Sequence, residues 1–226
     1  EICACLVGSE MCIRDSCEDV TMRNSFIRAS DDCVCIKAAS YPDPAANRDV
    51  KNILVEHCVL WNAEPGNAVE IGYEVRCDEI SDITFRDLDI VHCEYEGNQS
   101  GGVLTIHNAD RAHIHDIVYE DIRVEDAQEK FVDIKVLDSK YSLDRKRGSV
   151  ENIYFRNVEI LNGNFPVSII RGFEMHTEMS RPRNIYFDNV VVLGKQVESP
   201  SDLHMVVELS DDILFNGTAH AKRNPF

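Results

Sequence analysis

The sequence predicts an all-β protein, a right-handed single-stranded parallel β-helix of about six to seven coils, on three observations. Six strand-like runs share one eight-residue register, their starts recur every 30 to 36 residues, and no segment with helical periodicity lies between them. The runs are VTMRNSFI at 20–27, ILVEHCVL at 53–60, ITFRDLDI at 83–90, IVYEDIRV at 117–124, IYFRNVEI at 153–160 and IYFDNVVV at 185–192, with a shorter one at Ile213, Leu214 and Phe215. A period of this length is the mark of a solenoid, in which each unit buries its apolar face only against its neighbours.

Each position of the register has its own chemistry. The first is always Val or Ile, the third is apolar or aromatic and the eighth is aliphatic, which is the alternation of a strand. Val20, Ile53, Ile83, Ile117, Ile153 and Ile185 are therefore expected in one buried column. The fifth position reads Asn24, His57, Asp87, Asp121, Asn157, Asn189, residues that tolerate a bend and bond to nearby backbone. The fourth reads Arg23, Glu56, Arg86, Glu120, Arg156, Asp188. Stacked about 4.8 Å apart, side chains of alternating sign form an outward ladder of opposite charges.

A second strand follows in every unit: 32–38, 68–74, 102–108, 131–137, 166–172 and 203–209. In this register Val34, Val69 and Leu104 face inward, as do Ile36, Ile71 and Ile106. Cys35, Glu70 and Thr105 then form one outward column, and Lys37, Gly72 and His107 another. A (β/α) barrel is disfavoured because nothing helical separates the strands, and an antiparallel sandwich because whole coils, not hairpin turns, join them.

Composition narrows the partners. The net charge of −17 over 226 residues argues against nucleic acid or an anionic membrane, and no run approaches the ~20 apolar residues of a membrane span. The nine cysteines include no C-x-x-C and no zinc spacing, so neither a disulfide framework nor a metal site is expected, and Cys33, Cys35, Cys58, Cys77 and Cys93 read as buried free thiols. Residues 5–16, CLVGSEMCIRDS, share nothing with the repeat and resemble a translated sequencing-adapter remnant. The expected organisation is a non-native or disordered leader over 1–16, a β-helix domain over 17–217 and a tail over 218–226. On that reading the natural protein extends further upstream, and neither its compartment nor its oligomeric state is legible.

The segment Ser30-Asp31-Asp32-Cys33-Val34-Cys35-Ile36-Lys37, with CEDVTMRNSFIRA before it, resembles the Asp-Asp-Cys-Ile-Ala-Ile-Lys stretch of polygalacturonases, glycoside hydrolase family 28. Gly66-Asn67-Ala68-Val69-Glu70-Ile71-Gly72-Tyr73-Glu74 is similar to that family's Gly-His-Gly-(x)-Ser-Ile-Gly-Ser-Glu segment. The motif likeness covers about 17–75 and the repeat style about 17–215. It implies a secreted or periplasmic parallel β-helix enzyme that hydrolyses a plant or algal polysaccharide, or its oligosaccharides, by inversion, without a cofactor. Asp31 and Asp32 match the family's catalytic pair. Its third Asp, about twenty positions earlier, would fall near Glu10 and has no counterpart, so little or no hydrolysis is expected from this chain alone. Asn67 stands where the family has His, and Thr105-Ile106-His107 where it has Arg-Ile-Lys.

Inverting hydrolysis needs a protonated carboxyl for the leaving oxygen and a carboxylate to activate water. Asp31, Asp32 and Glu70, one coil away, are the catalytic candidates. Lys37, Asn67, His107, Arg111 and Trp61 are the substrate-binding candidates, with His113 and His115 near the same rim. Each has a plainer alternative: a turn for the Asp pair, a solvated strand position for Glu70, an ion pair for Lys37, packing under a loop for Trp61. A polysaccharide lyase, or a non-catalytic glycan-binding or structural β-helix, fits the same fold.

Overall fold

The computed structural model describes residues 5–8, 12–14, 17–38, 48–63, 65–94, 101–128, 130–165 and 167–220, with side chains described for 17–218 of these. The chain is a parallel β-helix of about five turns, somewhat fewer than the repeat count predicts. Two parallel sheets run its length. The first contains β3 (Glu18–Arg23) and β4 (Phe26–Ala29), both on β6 (Val50–Asn62), then β8 (Glu79–Cys93), β10 (His113–Val124), β12 (Ser149–Ile160), β16 (Arg183–Val192) and β19 (Asp211–Phe215). The second stacks β5 (Val34–Ala38), β7 (Val69–Val75), β9 (Leu104–Asn108), β11 (Val132–Val136), β13 (Ser168–Arg171) and β18 (Met205–Glu208).

The shared register is the stacking register. Ile53 pairs with Ile83, Ile83 with Ile117, Ile117 with Ile153 and Ile153 with Ile185, and all are buried; Val20 stacks on Ile53 but is only partly buried. The third position builds an internal aromatic column. Phe85, Tyr119, Phe155, Phe187 and Phe215 stack at centroid separations of 5.0, 5.0, 4.7 and 4.7 Å, their planes within 10° of parallel. That offset stacking adds to the burial of large rings. All five thiols predicted as buried, Cys33, Cys35, Cys58, Cys77 and Cys93, are buried, and none of them is in a disulfide.

Every fifth-position residue from Asn24 to Asn189 is left-handed, with φ between 49° and 54°. A second left-handed column, unnoticed in the sequence, sits one residue before the register: Asp19, Asn52, Asp82, Asp116, Asn152, Asn184 and Asp212, with φ between 52° and 59°. These two bends turn each long strand around the core. Their side chains also join coil to coil, as in Asn157 donating to Asp121 at 2.9 Å, Asn189 to Asn157 at 2.9 Å and Asn184 to Asn152 at 3.1 Å.

The charged ladder keeps register from Arg23 to Asp188. Arg86 bridges Glu56 and Glu120, whereas Arg156 lies over the ring of Tyr154 at 4.7 Å. The alternation thus sets neighbours without making an ion pair at every step.

The ends depart from the expected boundaries. Within the leader set apart from the fold, β1 (Cys5–Gly8) pairs in parallel with β4 and β2 (Cys12–Arg14) with β5. Within the expected tail, β20 (Thr218–His220) folds back antiparallel on β19. Backbone pairing asks little of side chains, so sequence unlike the repeat can still occupy an edge. Three further short strands, β14 (Phe173–Met175), β15 (Glu178–Ser180) and β17 (Lys195–Gln196), form local hairpin pairings. Among the described residues no helix is long and apolar enough to cross a membrane.

Two substitutions test this account. Phe155→Ala should destabilise the chain by about 3–5 kcal/mol, because it removes the middle of the aromatic column. Asn157→Ala and Asn157→Gly lose the same coil-to-coil bonds, but only Ala carries a left-handed penalty of about 1–2 kcal/mol, so thermal melts should rank Gly above Ala.

Candidate functional site

The second sheet carries the site because its outward columns bring acids from successive coils into line. Cys35 pairs with Glu70, Glu70 with Thr105 and Thr105 with Asp133. In the next column Gly72 pairs with His107, and His107 with Lys135. Lys37 is displaced from that column, since the register shifts between Ile36 and Ala38 as β7 bulges.

An open groove of about 790 Å³ crosses this face. Its floor is Asp31, Asp32, Lys37, Gly66, Asn67, Glu70, Tyr73 and Glu74, and its far wall is the 137–141 segment. Asp32 is 3% exposed. Its Oδ1 accepts from the Asn67 backbone N–H at 2.9 Å and from Asn67 Nδ2 at 2.7 Å; the same Nδ2 reaches Glu70 Oε2 at 2.7 Å. The Asn67 side-chain Oδ1 accepts from Gly102 N at 2.8 Å. Asn67 is thus a clamp between two acids, a role that suits an amide, which can donate to both.

Behind Glu70 the charges continue inward. Glu70 Oε1 meets His107 Nδ1 at 2.9 Å, and His107 Nε2 stands 3.4 Å from Asp133 Oδ2, an ion-pair distance without hydrogen-bond geometry. Lys135 donates to Asp133 Oδ2 at 2.8 Å, with Lys130 3.6 Å from the same atom. Burial opposes protonation of His107, but Asp133 and Glu70 together hold its pKa up at about 9. Against burial, His107, Lys135 and Lys130 keep Asp133 below the usual carboxylate range. Burial and the neighbouring Glu70 carboxylate push Asp32 up to about 8, outweighing the opposing pull of Asn67 and Lys37. Asp32 therefore holds its proton more tightly than an ordinary carboxyl.

Two glycines make this packing possible. A Cβ on Gly66, at φ 120°, would fall 2.4 Å from the Asp31 carbonyl carbon, and one on Gly72, at φ 133°, 2.3 Å from the His107 carbonyl oxygen. Each coil is pressed on the next where the acids meet.

The expected residues separate accordingly. Asp31, Asp32, Asn67, Glu70 and Lys37 converge on the groove. Asp31 is half-buried there; its Oδ1 accepts from Asp32 N at 2.9 Å and its carbonyl from Asn62 Nδ2 at 2.8 Å. Lys37 stands 3.6 Å from Glu74. His107, expected on a sugar-binding rim, is wholly buried instead, with the Tyr73 ring 4.5 Å from its imidazole. Outward-facing in the register is not the same as exposed, because the Tyr73 ring packs against His107.

Arg111 and Trp61 do not line the groove. Arg111 binds Asp78 and Asp144 at 3.1 and 3.0 Å, and Asp144 N and Leu143 N both donate to buried Asp110 at 2.7 Å. That network braces the far wall. Trp61 belongs to the first sheet, 5.1 Å from the His92 ring with the Arg28 guanidinium 4.4 Å over it. His113 and His115 are paired with Glu151 and with Asp116 and Glu79 on the same sheet. Glu10 lies outside the described residues.

Sequence reasoning missed Asp133, Lys135, Asp110, Tyr73 and Tyr141. Asp133 and Lys135 could have been found by extending the Glu70 and His107 columns one coil, where they align. Tyr141 sits in a loop with no register to read. A scan against protein-family models finds no match, and a search of curated proteins finds none either.

Both raised groups weaken the fold toward alkaline pH. Asp32 binds its proton more tightly folded than unfolded, so its contribution is complete below about pH 4 and falls as pH rises to about 8. His107's contribution is complete below about 6.5 and falls through about 9. Asp32→Asn keeps the neutral shape, so it should melt higher than the parent at pH 8 and flatten the pH 4–8 part of the stability profile. A parent whose melting temperature rises from pH 5 to pH 8 would contradict this electrostatic picture.

Proposed function

We propose that the chain is a glycoside hydrolase acting on a polysaccharide or oligosaccharide, with Asp32 as general acid and Asp31 as the base of an inverting displacement. What carries the reading is a carboxyl at the floor of an open groove that keeps its proton at neutral pH, through burial and Glu70, beside a half-buried second carboxylate. Asp32 would give its proton to the glycosidic oxygen as the bond to the anomeric carbon breaks. Asp31 would take a proton from the water that forms the new bond. The resemblance of the 30–37 segment to polygalacturonases points the same way.

Glu70 fits a different role from the second catalytic acid the sequence suggested. One donor atom each of Asp32, Cys35 and Glu70 lie within 4.8 Å of one another. Acids flanking a bond with a water between them stand roughly 6.5–9.5 Å apart. Glu70 is then a positioning residue that holds Asp32 protonated, while His107 and Asp133 hold Glu70.

A polysaccharide lyase is the second reading, favoured by that cluster, which offers two carboxylates and a sulfur to a cation, and by Lys37 in the same groove as a base. Lys37 suits the role poorly. Against burial, the neighbouring Cys35, Glu74, Asp32 and Glu70 hold its pKa well above the usual lysine range, so it stays charged.

Reducing-end release from a panel of pectic and neutral glycans tests the hydrolase. Turnover is expected to fall below detection in Asp32→Asn, general acids contributing about 10²–10⁴-fold. An Asp32→Asn variant as active as the parent would overturn it. A lyase would instead yield products absorbing in the near ultraviolet, in a reaction that stops with a chelator.

A further inference from the structure

Resting on the hydrolase reading of this groove, we propose that its substrate is an uncharged oligosaccharide, one pyranose of which lays its C–H face on the Tyr73–Tyr141 pair. The two rings lie 5.4 Å apart at 51° across the groove, Tyr73 from the floor and Tyr141 from the far wall. Tyr141 is 44% exposed, a large ring left at the mouth of a polar groove. A pyranose has an apolar C–H face and a rim of hydroxyl donors. Aromatic rings match the first, and carboxylates, which only accept, match the second.

The charges of the groove's described residues disfavour an anionic sugar. Among its described lining residues are five acids, Asp31, Asp32, Glu70, Glu74 and Asp138, against two lysines, Lys37 and Lys140. Both lysines are engaged: Lys37 lies 3.6 Å from Glu74, and the Lys140 ammonium lies 4.8 Å over the Tyr141 ring. With Asp32 neutral, four negative charges face two positive ones. No arginine lines the groove among the described residues, so the forked donor that best recognises a carboxylate is lacking there. A polyuronide would also approach a chain of net charge −17 against its field, with like charges repelling before any contact forms.

The two tyrosines have separate tasks. Tyr73 also covers His107, so changing it would disturb the buried charges, whereas Tyr141 belongs to the exposed wall. Tyr141 is the residue to substitute.

Calorimetric titration of the 226-residue chain with oligosaccharides of neutral galactan, xylan and mannan, and with oligogalacturonate, tests the inference at low and high ionic strength. At least one neutral oligosaccharide should bind with little dependence on salt, and oligogalacturonate should not bind at low salt. Tyr141→Ala should weaken the neutral ligand about tenfold, equivalent to about 1.4 kcal/mol, and Tyr141→Trp should restore it. Tighter binding of oligogalacturonate, no binding of any neutral ligand, or neutral binding indifferent to Tyr141→Ala would each overturn the proposal. Release of reducing ends from oligogalacturonate, dependent on Asp32, would sink the uncharged substrate while leaving the hydrolase standing. Neutral binding accompanied by release that is indifferent to Asp32→Asn would sink the hydrolase reading instead.

Discussion

Coil-to-coil register is the constraint on which the rest of this molecule depends. A parallel solenoid has no turn that pins one strand against the next, so a slip by one residue would move every side chain to the opposite face. Two columns of left-handed Asp, Asn and His prevent this by bending each strand at the same two points. An amide in such a bend also donates to the acid or amide of the coil beneath it, as Asn152 does to Asp116. Between the bends, flat rings stack only when aligned, so the column from Phe85 to Phe215 enforces the same alignment from inside.

The site follows from that alignment. Strands about 4.8 Å apart bring Glu70 beside Cys35 and Thr105 beside Asp133, too close for several charges unless their signs alternate or one takes up a proton. The residues arrange both. Lys135 and His107 flank Asp133, Glu70 lies on the other side of His107, and Asp32, next in line, remains neutral. A buried chain of this kind is costly to break in the middle, since removing His107 would leave two buried carboxylates facing each other. At one end of that line, burial and the facing Glu70 carboxylate raise the pKa of Asp32.

Much of this was legible in the residues. The eight-residue register, its buried first and third positions, the bend at the fifth and the column of Cys35, Glu70 and Thr105 could all be read as spacing, because a solenoid writes spatial neighbours as a fixed sequence interval. The second bend was equally readable, as an Asp or Asn before each run. The groove's far wall was not readable. Residues 138–141 belong to no repeat; Asp144, held by Arg76 and Arg111, and Asp110, which accepts from Leu143 N and Asp144 N, help to place them opposite Asp32.

Sequence by itself determined the stacking: which residues point inward, which share a column, and that acids from neighbouring coils meet near Asp32. Periodic information of that kind survives in one dimension, since each coil repeats the same geometry. Tertiary structure decided which outward residues were covered. His107 and Asp133 became interior charges and Tyr141 a rim, while Trp61 and Arg111 went to other surfaces. Burial depends on what the loops lay over the sheet, and it is burial, with the field of neighbouring charges, that decides whether a carboxyl keeps its proton.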